Sequence, residues 1–350
     1  MTAERYTQAA AGAKDPPRAR VSERGRRFAP GRASVMLPAS APAGERVFIE
    51  EYLQELRRER FAPRAIARYA RRAAARAREA LVANPGAVRS LWSLALLFFV
   101  ATFAGSAALA VWDDRRLAVG FFVVSTLSML PVFGLVTLHL DLLRDREGFR
   151  LSAVNLPTSF TLLRVCLAPA IAMFLLQRHF ALALSGYLIA ETSDVADGWL
   201  ARRLNQITRL GTVLDPIVDI FFNVVVMSAL FASRLIPLWV IGVALLRYAI
   251  FLIGGACLYL LVGPVRVRPT FFGRLSGVVM VALMSLLMLL HVVHAPWVER
   301  VAPLTVVALG SLLVAAVGQV IALGWYNLRI MQGAARAQGS VVGDVRWGPR

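Results

Sequence analysis

From Ser90 onward the chain is a succession of apolar runs long enough to cross a lipid bilayer, and nothing else in it constrains the fold as strongly. A spanning helix needs about 20 mostly apolar residues. Eight stretches qualify: 91–112, 118–140, 158–177, 180–202, 211–233, 236–263, 273–294 and 302–326. The links between them are short and polar or carry helix breakers, among them Asp113-Asp114-Arg115-Arg116, Arg144-Asp145-Arg146, Asn155-Leu156-Pro157 and Arg178-His179. Backbone groups in hydrocarbon must be satisfied within their own segment, so the sequence predicts an all-α, polytopic membrane protein. Composition agrees. Of the 350 residues, 58% are hydrophobic and 17% charged. Soluble domains have roughly 45–50% and 25%. That balance argues against a soluble enzyme, a disordered chain or a secreted disulfide scaffold.

A formal net charge of +18 is large for so apolar a chain, and it is segregated. Residues 1–90 hold 19 Lys and Arg against 9 Asp and Glu. Residues 1–44, polar and rich in Arg, Pro, Ala and Gly, read as a disordered basic tail with no apolar signal-peptide core. Residues 45–90 read as an amphipathic basic helical segment, stopped by Asn84-Pro85-Gly86, that suits an anionic membrane surface. The same stretch also fits a solvated helix. Residues 91–150 then carry two spans, 151–330 a six-helix core, and 331–350 a tail. Placing the N-terminus inside puts 13 arginines of the spanning region and tail on the inner side and 5 outside. Both termini are therefore expected in the cytoplasm, in the cell (inner) membrane. Trp92, Trp112, Trp297 and Trp325 fall near span ends, as an aromatic belt would. Cys166 and Cys257 read as buried thiols, His291 and His294 as interfacial residues, and Gly134 and Gly254-Gly255 as weak helix-packing signals.

The acids are few, and their placement is informative. From Leu151 to Asn327 there are six, and five lie within 29 residues: Glu191, Asp194, Asp197, Asp215 and Asp219. Ionisable groups inside spans are costly and mark function by default. Asp194 and Asp197 are i,i+3; Asp215 and Asp219 are i,i+4; each pair shares one helix face. The link from Arg203 to Leu210 is short enough to make the two helices antiparallel neighbours, so four carboxylates converge at the inner end of a helix pair. Uncompensated, they would repel one another. All-oxygen ligation suits Mg²⁺, Mn²⁺ or Ca²⁺, as one ion or two, and Mg²⁺ or Mn²⁺ is the expectation carried forward. Gly198 and Gly211 beside the cluster allow close approach of a ligand, and Arg202 can meet a phosphate. An ion-paired helix interface, with Arg202, Arg203 and Arg209 neutralising the aspartates, is the structural alternative.

The segment Asp194-Val-Ala-Asp197-Gly198-Trp-Leu-Ala201-Arg202, eight residues, then Gly211-Thr-Val-Leu-Asp215-Pro-Ile-Val-Asp219 resembles the signature of the CDP-alcohol phosphotransferases, D-x2-D-G-x2-A-R-x8-G-x3-D-x3-D. All eight fixed positions match. Upstream, Asn155-Leu-Pro-Thr-Ser-Phe-Thr161-Leu-Leu-Arg164 is similar to the N-x5-T-x2-R of phosphatidylglycerophosphate synthases. The resemblance covers about residues 151–330. It implies an integral membrane enzyme that moves a substituted phosphate from a CDP-alcohol, usually CDP-diacylglycerol, to an acceptor hydroxyl and releases CMP. It implies that Asp194, Asp197, Asp215 and Asp219 hold divalent metal, with Asp219 also the general base. It implies that Gly198, Arg202, Gly211, Asn155 and Thr161 lie against the cytidine diphosphate, and it implies a homodimer.

The acceptor is less determined. Arg247 within a span, with Arg266, Arg268 and Arg274 around the next inner turn, suits a phosphorylated acceptor, and glycerol 3-phosphate is the first expectation. Serine, inositol and inositol phosphate are alternatives. Arg274 and Ile220 stand where lysine is common in phosphatidylglycerophosphate synthases. A reading of another class, an ion-coupled transporter or channel, would need carboxylates near mid-membrane in related halves. The aspartate pattern is not repeated in the other half. The basic N-terminus is assigned to anionic lipid, not nucleic acid.

Overall fold

Asparagine, proline and threonine at segment boundaries decide where these helices start. The computed structural model describes residues 62–145, 147–204, 206–254, 271–293 and 295–342. The expected tail at 1–44, residues 45–61, Arg146, Cys257, Arg266, Arg268, His294 and residues 343–350 lie outside them. Nine α-helices are described: α1 (Pro63–Ala83), α2 (Pro85–Trp112), α3 (Arg115–Leu138), α4 (Leu156–Leu176), α5 (Phe180–Arg203), α6 (Arg209–Ala232), α7 (Leu238–Ala249), α8 (Phe271–Val292) and α9 (Val298–Val342). A 3₁₀ turn, Leu140–Leu142, follows α3, and a π-turn, Ile250–Gly254, extends α7. Among the described residues the only β-type pairing is an isolated bridge between Arg144 and Arg150.

The Asn84-Pro85-Gly86 break starts a helix as well as ending one. Proline suits the first helical position, where its missing N–H costs nothing. Asn84 accepts a hydrogen bond from the Ala87 N–H at 3.2 Å and donates through Nδ2 to the Leu151 carbonyl at 2.7 Å. The start of α2 is thereby fastened to the entry of the core. At the other end of the bundle two arginines take the left-handed conformation, Arg178 (φ 62°) and Arg234 (φ 63°). In each turn the next residue's N–H reaches back over the last helical turn, His179 to Phe174 O and Leu235 to Leu230 O. Both helices are therefore capped where glycine is the usual choice.

Among the described residues, six helices are long and apolar enough to cross a membrane: α2, α3, α4, α6, α8 and residues 298–326 of α9. The other two of the eight expected spans differ for separate reasons. Helix α5, 24 residues and about 36 Å at 1.5 Å per residue, is long enough but carries Glu191, Asp194 and Asp197. Helix α7 with its π-turn is described only to Gly254. Helix α9 continues without a break through Val342, beyond residue 330. The outer surface is strongly apolar; Leu96, Leu97, Phe103, Leu127 and Leu130 are all exposed, as in a bundle solvated by lipid. Trp92, Trp112, Trp297 and Trp325 are exposed too. The protein is a multi-pass membrane protein.

Helix α4 is the spine. It packs against α3, α5 and α6, whereas α5 also meets α8, and α7 packs on α9. Helices α5 and α6 do run antiparallel, but they are not packed along their lengths as direct neighbours; each lies on α4. They meet through long side chains, with the Tyr187 and Phe222 rings stacked at 5.8 Å. Toward the Arg203 and Arg209 ends this leaves a cleft.

Of the glycines, Gly310 on α9 fits its neighbour most tightly: a Cβ there would overlap the indole of Trp239 on α7. Gly134, by contrast, has open space around it. Gly310→Ala is expected to cost about 1–3 kcal/mol by overpacking. It should lower the thermal midpoint in detergent, and adding Trp239→Leu should restore most of the loss.

Candidate active site

Four polar residues of α4 and its cap recur every third position: Asn155, Thr158, Thr161 and Arg164. Each is a surface neighbour of the next, the row drifting around the helix from its start, where Asn155 meets the α5–α6 link, to Thr161 and Arg164, which meet α5 and α6. Asn155 caps the helix without a bond to its backbone amides. Its Nδ2 donates to the Gln206 carbonyl at 2.7 Å, and its Oδ1 accepts from the Thr158 hydroxyl at 2.6 Å. This ties the start of α4 to the α5–α6 link. On the far side of that link Thr208 caps α6, its Oγ1 accepting from the Gly211 N–H at 3.0 Å. The Arg209 N–H donates to the Arg144 carbonyl at 3.0 Å, so the loop leaving α3 is pinned to the same place.

Deeper in, the four aspartates meet the same row of α4. The Thr161 hydroxyl lies 3.3 Å from Asp197 Oδ2 and 3.1 Å from Asp215 Oδ1, so one hydroxyl stands between a carboxylate of α5 and one of α6. One turn on, Arg164 does the same for the other two. Its Nη1 donates to Asp219 Oδ1 at 2.6 Å, and its Nη2 stands 2.6 Å from Asp194 Oδ1. The second contact is an ion pair outside hydrogen-bond alignment, and Nε is buried without a partner. Arg164 is 3% exposed and Asp197 7%. The buried countercharge is Arg164, which the alternative of an ion-paired interface with Arg202, Arg203 and Arg209 did not include. Arg203 lies over the Trp199 ring at 4.8 Å.

Beside the cluster is a cleft of about 170 Å³, lined by residues of α4, α5, the link and α6, including Thr161, Asp197, Gly198, Arg202, Gly211 and Asp215. Asn155 lines it as well. All five residues expected at the cytidine diphosphate thus share one cleft with two of the aspartates. A Cβ at Gly198 would meet Arg202 Nη1 at 3.4 Å, and one at Gly211 would meet Thr208 Oγ1 at 3.1 Å. Thr158, Gln206 and Thr208 also line it and were not singled out in the sequence. A larger hollow, about 560 Å³, lies at the opposite end beside the Phe231–Pro237 turn and holds none of the carboxylates.

Of the residues expected at the acceptor, the two described, Arg247 and Arg274, are not gathered here. Arg247 Nη1 approaches Met280 Sδ at 3.7 Å, Arg274 is exposed at the start of α8, and neither lines the cleft. His291 is bonded to the Leu287 carbonyl and packs on the Phe180 ring, far from the aspartates along α8. Cys166 is a buried free thiol.

The donor set suits a hard divalent cation: carboxylate oxygens, with no thiol or imidazole. The contacts to Thr161 and Arg164 engage one oxygen of each aspartate, leaving the second for a ligand. Among the described residues no three His, Cys, Asp or Glu side chains are drawn together tightly enough to hold an ion as they stand. The carboxylates are instead arranged around Arg164 and Thr161.

The cleft depends on where α6 begins. Thr208→Ala should cost about 1 kcal/mol by exposing the Gly211 N–H. Thermal unfolding in detergent would show this, and Thr208→Ser should retain wild-type stability.

Residues 154–331 match the family of CDP-alcohol phosphatidyltransferases. Curated proteins similar to the chain include a CDP-diacylglycerol–glycerol-3-phosphate 3-phosphatidyltransferase of Aquifex aeolicus, 32% identical over 35% of this chain and 69% of that protein. Another enzyme of that name, from Salmonella choleraesuis, is 46% identical over 19% of this chain and 37% of its own length. A probable cardiolipin synthase (CMP-forming) of Drosophila melanogaster is 30% identical over 33% and 34%. No solved structure gives a significant match. The matched region runs from the cap of α4 into α9 and contains the whole carboxylate cluster and the cleft beside it; the chain belongs to the CDP-alcohol phosphatidyltransferase family.

Proposed function

We propose that the protein transfers a phosphatidyl group from CDP-diacylglycerol to the hydroxyl of glycerol 3-phosphate and releases CMP. The observation that carries this reading is the coincidence in one cleft of the signature residues Asp197, Gly198, Arg202, Gly211 and Asp215, with Asp194 and Asp219 joined to them through α4. The cleft lies toward one end of the spans. A donor with two acyl chains reaches such a place from the bilayer, and a polar acceptor reaches it from water. Arginines at that end, including Arg144, Arg150, Arg202, Arg203 and Arg209, support placing it and both termini in the cytoplasm, in the cell membrane. A homodimer belongs to the same proposal.

In this reading Asp194, Asp197, Asp215 and Asp219 would hold Mg²⁺ or Mn²⁺, as one ion or two, and the cation would neutralise the charge that grows on the departing CMP. The chain's own groups do the rest. Gly198 and Gly211 let the diphosphate come close to backbone, and Arg202 supplies a planar donor fork for a phosphate. Asn155 holds the α5–α6 link, and the Thr161 hydroxyl stands between Asp197 and Asp215, able to donate to either, so both residues shape the wall on which the nucleotide rests. Asp219 offers its second oxygen to the acceptor hydroxyl. As the acceptor oxygen bonds to the phosphatidyl phosphorus and the bond to the CMP oxygen breaks, the hydroxyl proton passes to Asp219. Arg247, Arg266, Arg268 and Arg274 are the candidates for an acceptor's phosphate. The relatives named for glycerol-3-phosphate transfer support that acceptor, and those named cardiolipin synthase make a lipid alcohol the second candidate.

Purified protein with CDP-diacylglycerol and Mn²⁺ should release CMP only when the right acceptor is present. The panel is glycerol 3-phosphate, phosphatidylglycerol, serine, inositol and inositol phosphate. EDTA should abolish release. Asp219→Asn should lower kcat by at least about 100-fold, the usual scale for losing a general base. No metal-dependent CMP release with any acceptor would refute the reading.

A further inference from the structure

We propose that Arg164 is the positioning residue of the transfer reaction, a fixed guanidinium that sets the separation of Asp194 and Asp219 and selects which Asp219 oxygen faces the acceptor. The inference rests on the aspartates being the catalytic centre. Helices α5 and α6 are each packed along α4, and where they meet each other it is through long side chains such as Tyr187 and Phe222, away from the aspartates. At the aspartates Arg164 spans the two helices, with 2.6 Å contacts from Nη2 to α5 and from Nη1 to α6. Both nitrogens belong to one rigid plane, so the span between the two contacted oxygens is limited by the width of the guanidinium. The guanidinium is 3% exposed, and its Nε finds no other partner; the two carboxylates are what hold it. Because Asp219 gives Oδ1 to Arg164, its other oxygen is the one presented to a hydroxyl.

The same group supplies the cluster's internal positive charge. Two consequences follow that point in opposite directions. Without Arg164 the four carboxylates repel one another more strongly, so the metal-free protein loses stability while its attraction for a divalent cation increases. Without the rigid bridge Asp219 is no longer held, and a misplacement of about 1 Å is worth roughly 100-fold in rate. Lysine restores the charge but, as a single ammonium on a flexible stem, cannot bridge the two carboxylates in a fixed plane.

Arg164→Gln and Arg164→Lys would be purified beside the wild-type protein. Thermal midpoints would be recorded with and without Mn²⁺, Mn²⁺ binding titrated directly, and kcat and KM measured for donor and acceptor. Arg164→Gln should have a lower midpoint without metal, a larger upward shift on adding Mn²⁺, and Mn²⁺ binding at least as tight as wild type. Its kcat should nonetheless fall by about 100-fold, with little change in donor KM. Arg164→Lys should recover the metal-free midpoint but not the kcat. Wild-type kcat in either variant would overturn the proposal, as would loss of Mn²⁺ binding in step with activity, which would make Arg164 merely part of the metal site's scaffold. Should Arg164→Gln not fold, the lysine variant decides, since full activity there excludes a bridging role. Failure of the underlying reading is separable: the wild-type protein itself would then release no CMP.

Discussion

Four aspartates brought to one end of an apolar bundle need opposing charge, and this requirement organises the protein's core. Like charges a few ångströms apart inside a low-dielectric bundle repel strongly. The chain meets the requirement from within with a single buried guanidinium. Arg164 joins α5 to α6 through Asp194 and Asp219, and one turn earlier Thr161 joins the same helices through Asp197 and Asp215. Each contact leaves a second carboxylate oxygen for a ligand, so the cluster is cohesive without being used up.

The packing order follows from that role. Because α4 carries the groups that satisfy both sets of carboxylates, α5 and α6 lie on α4 and diverge from each other, and the cleft is the space their divergence leaves. The opposite end is built differently. There Arg178 and Arg234 cap helices in the left-handed conformation, and Tyr187 stacked on Phe222 fills the interior between α5 and α6.

Much of this is legible in the sequence, for identifiable reasons. Apolar run length is a local property, so most spans can be read directly, and Asn84-Pro85 marks a boundary whatever surrounds it. The aspartates stand out because acids are scarce between Leu151 and Asn327 and because i,i+3 and i,i+4 spacing fixes a shared face. The countercharge was less visible. Arg202, Arg203 and Arg209 are near the aspartates in sequence, whereas Arg164 is 30 residues before Asp194 and becomes adjacent only when α4 packs between the two helices. The signal that could have found it is the three-residue spacing Asn155, Thr158, Thr161, Arg164, an isolated polar stripe at the start of an apolar helix. Thr208 and Gln206 were hidden for a similar reason, being link residues whose importance comes from the cleft they border.

The sequence by itself determined that this chain is helical, crosses a membrane several times, and carries a signature whose four aspartates lie on two helix faces, because periodicity and hydropathy are settled within one or two turns. Only the tertiary structure decided which helix stands between those faces, which arginine neutralises them, and that Gly310 must stay small beneath Trp239. Those facts depend on residues far apart in the chain meeting across a packed interface, and no local spacing encodes which partners meet.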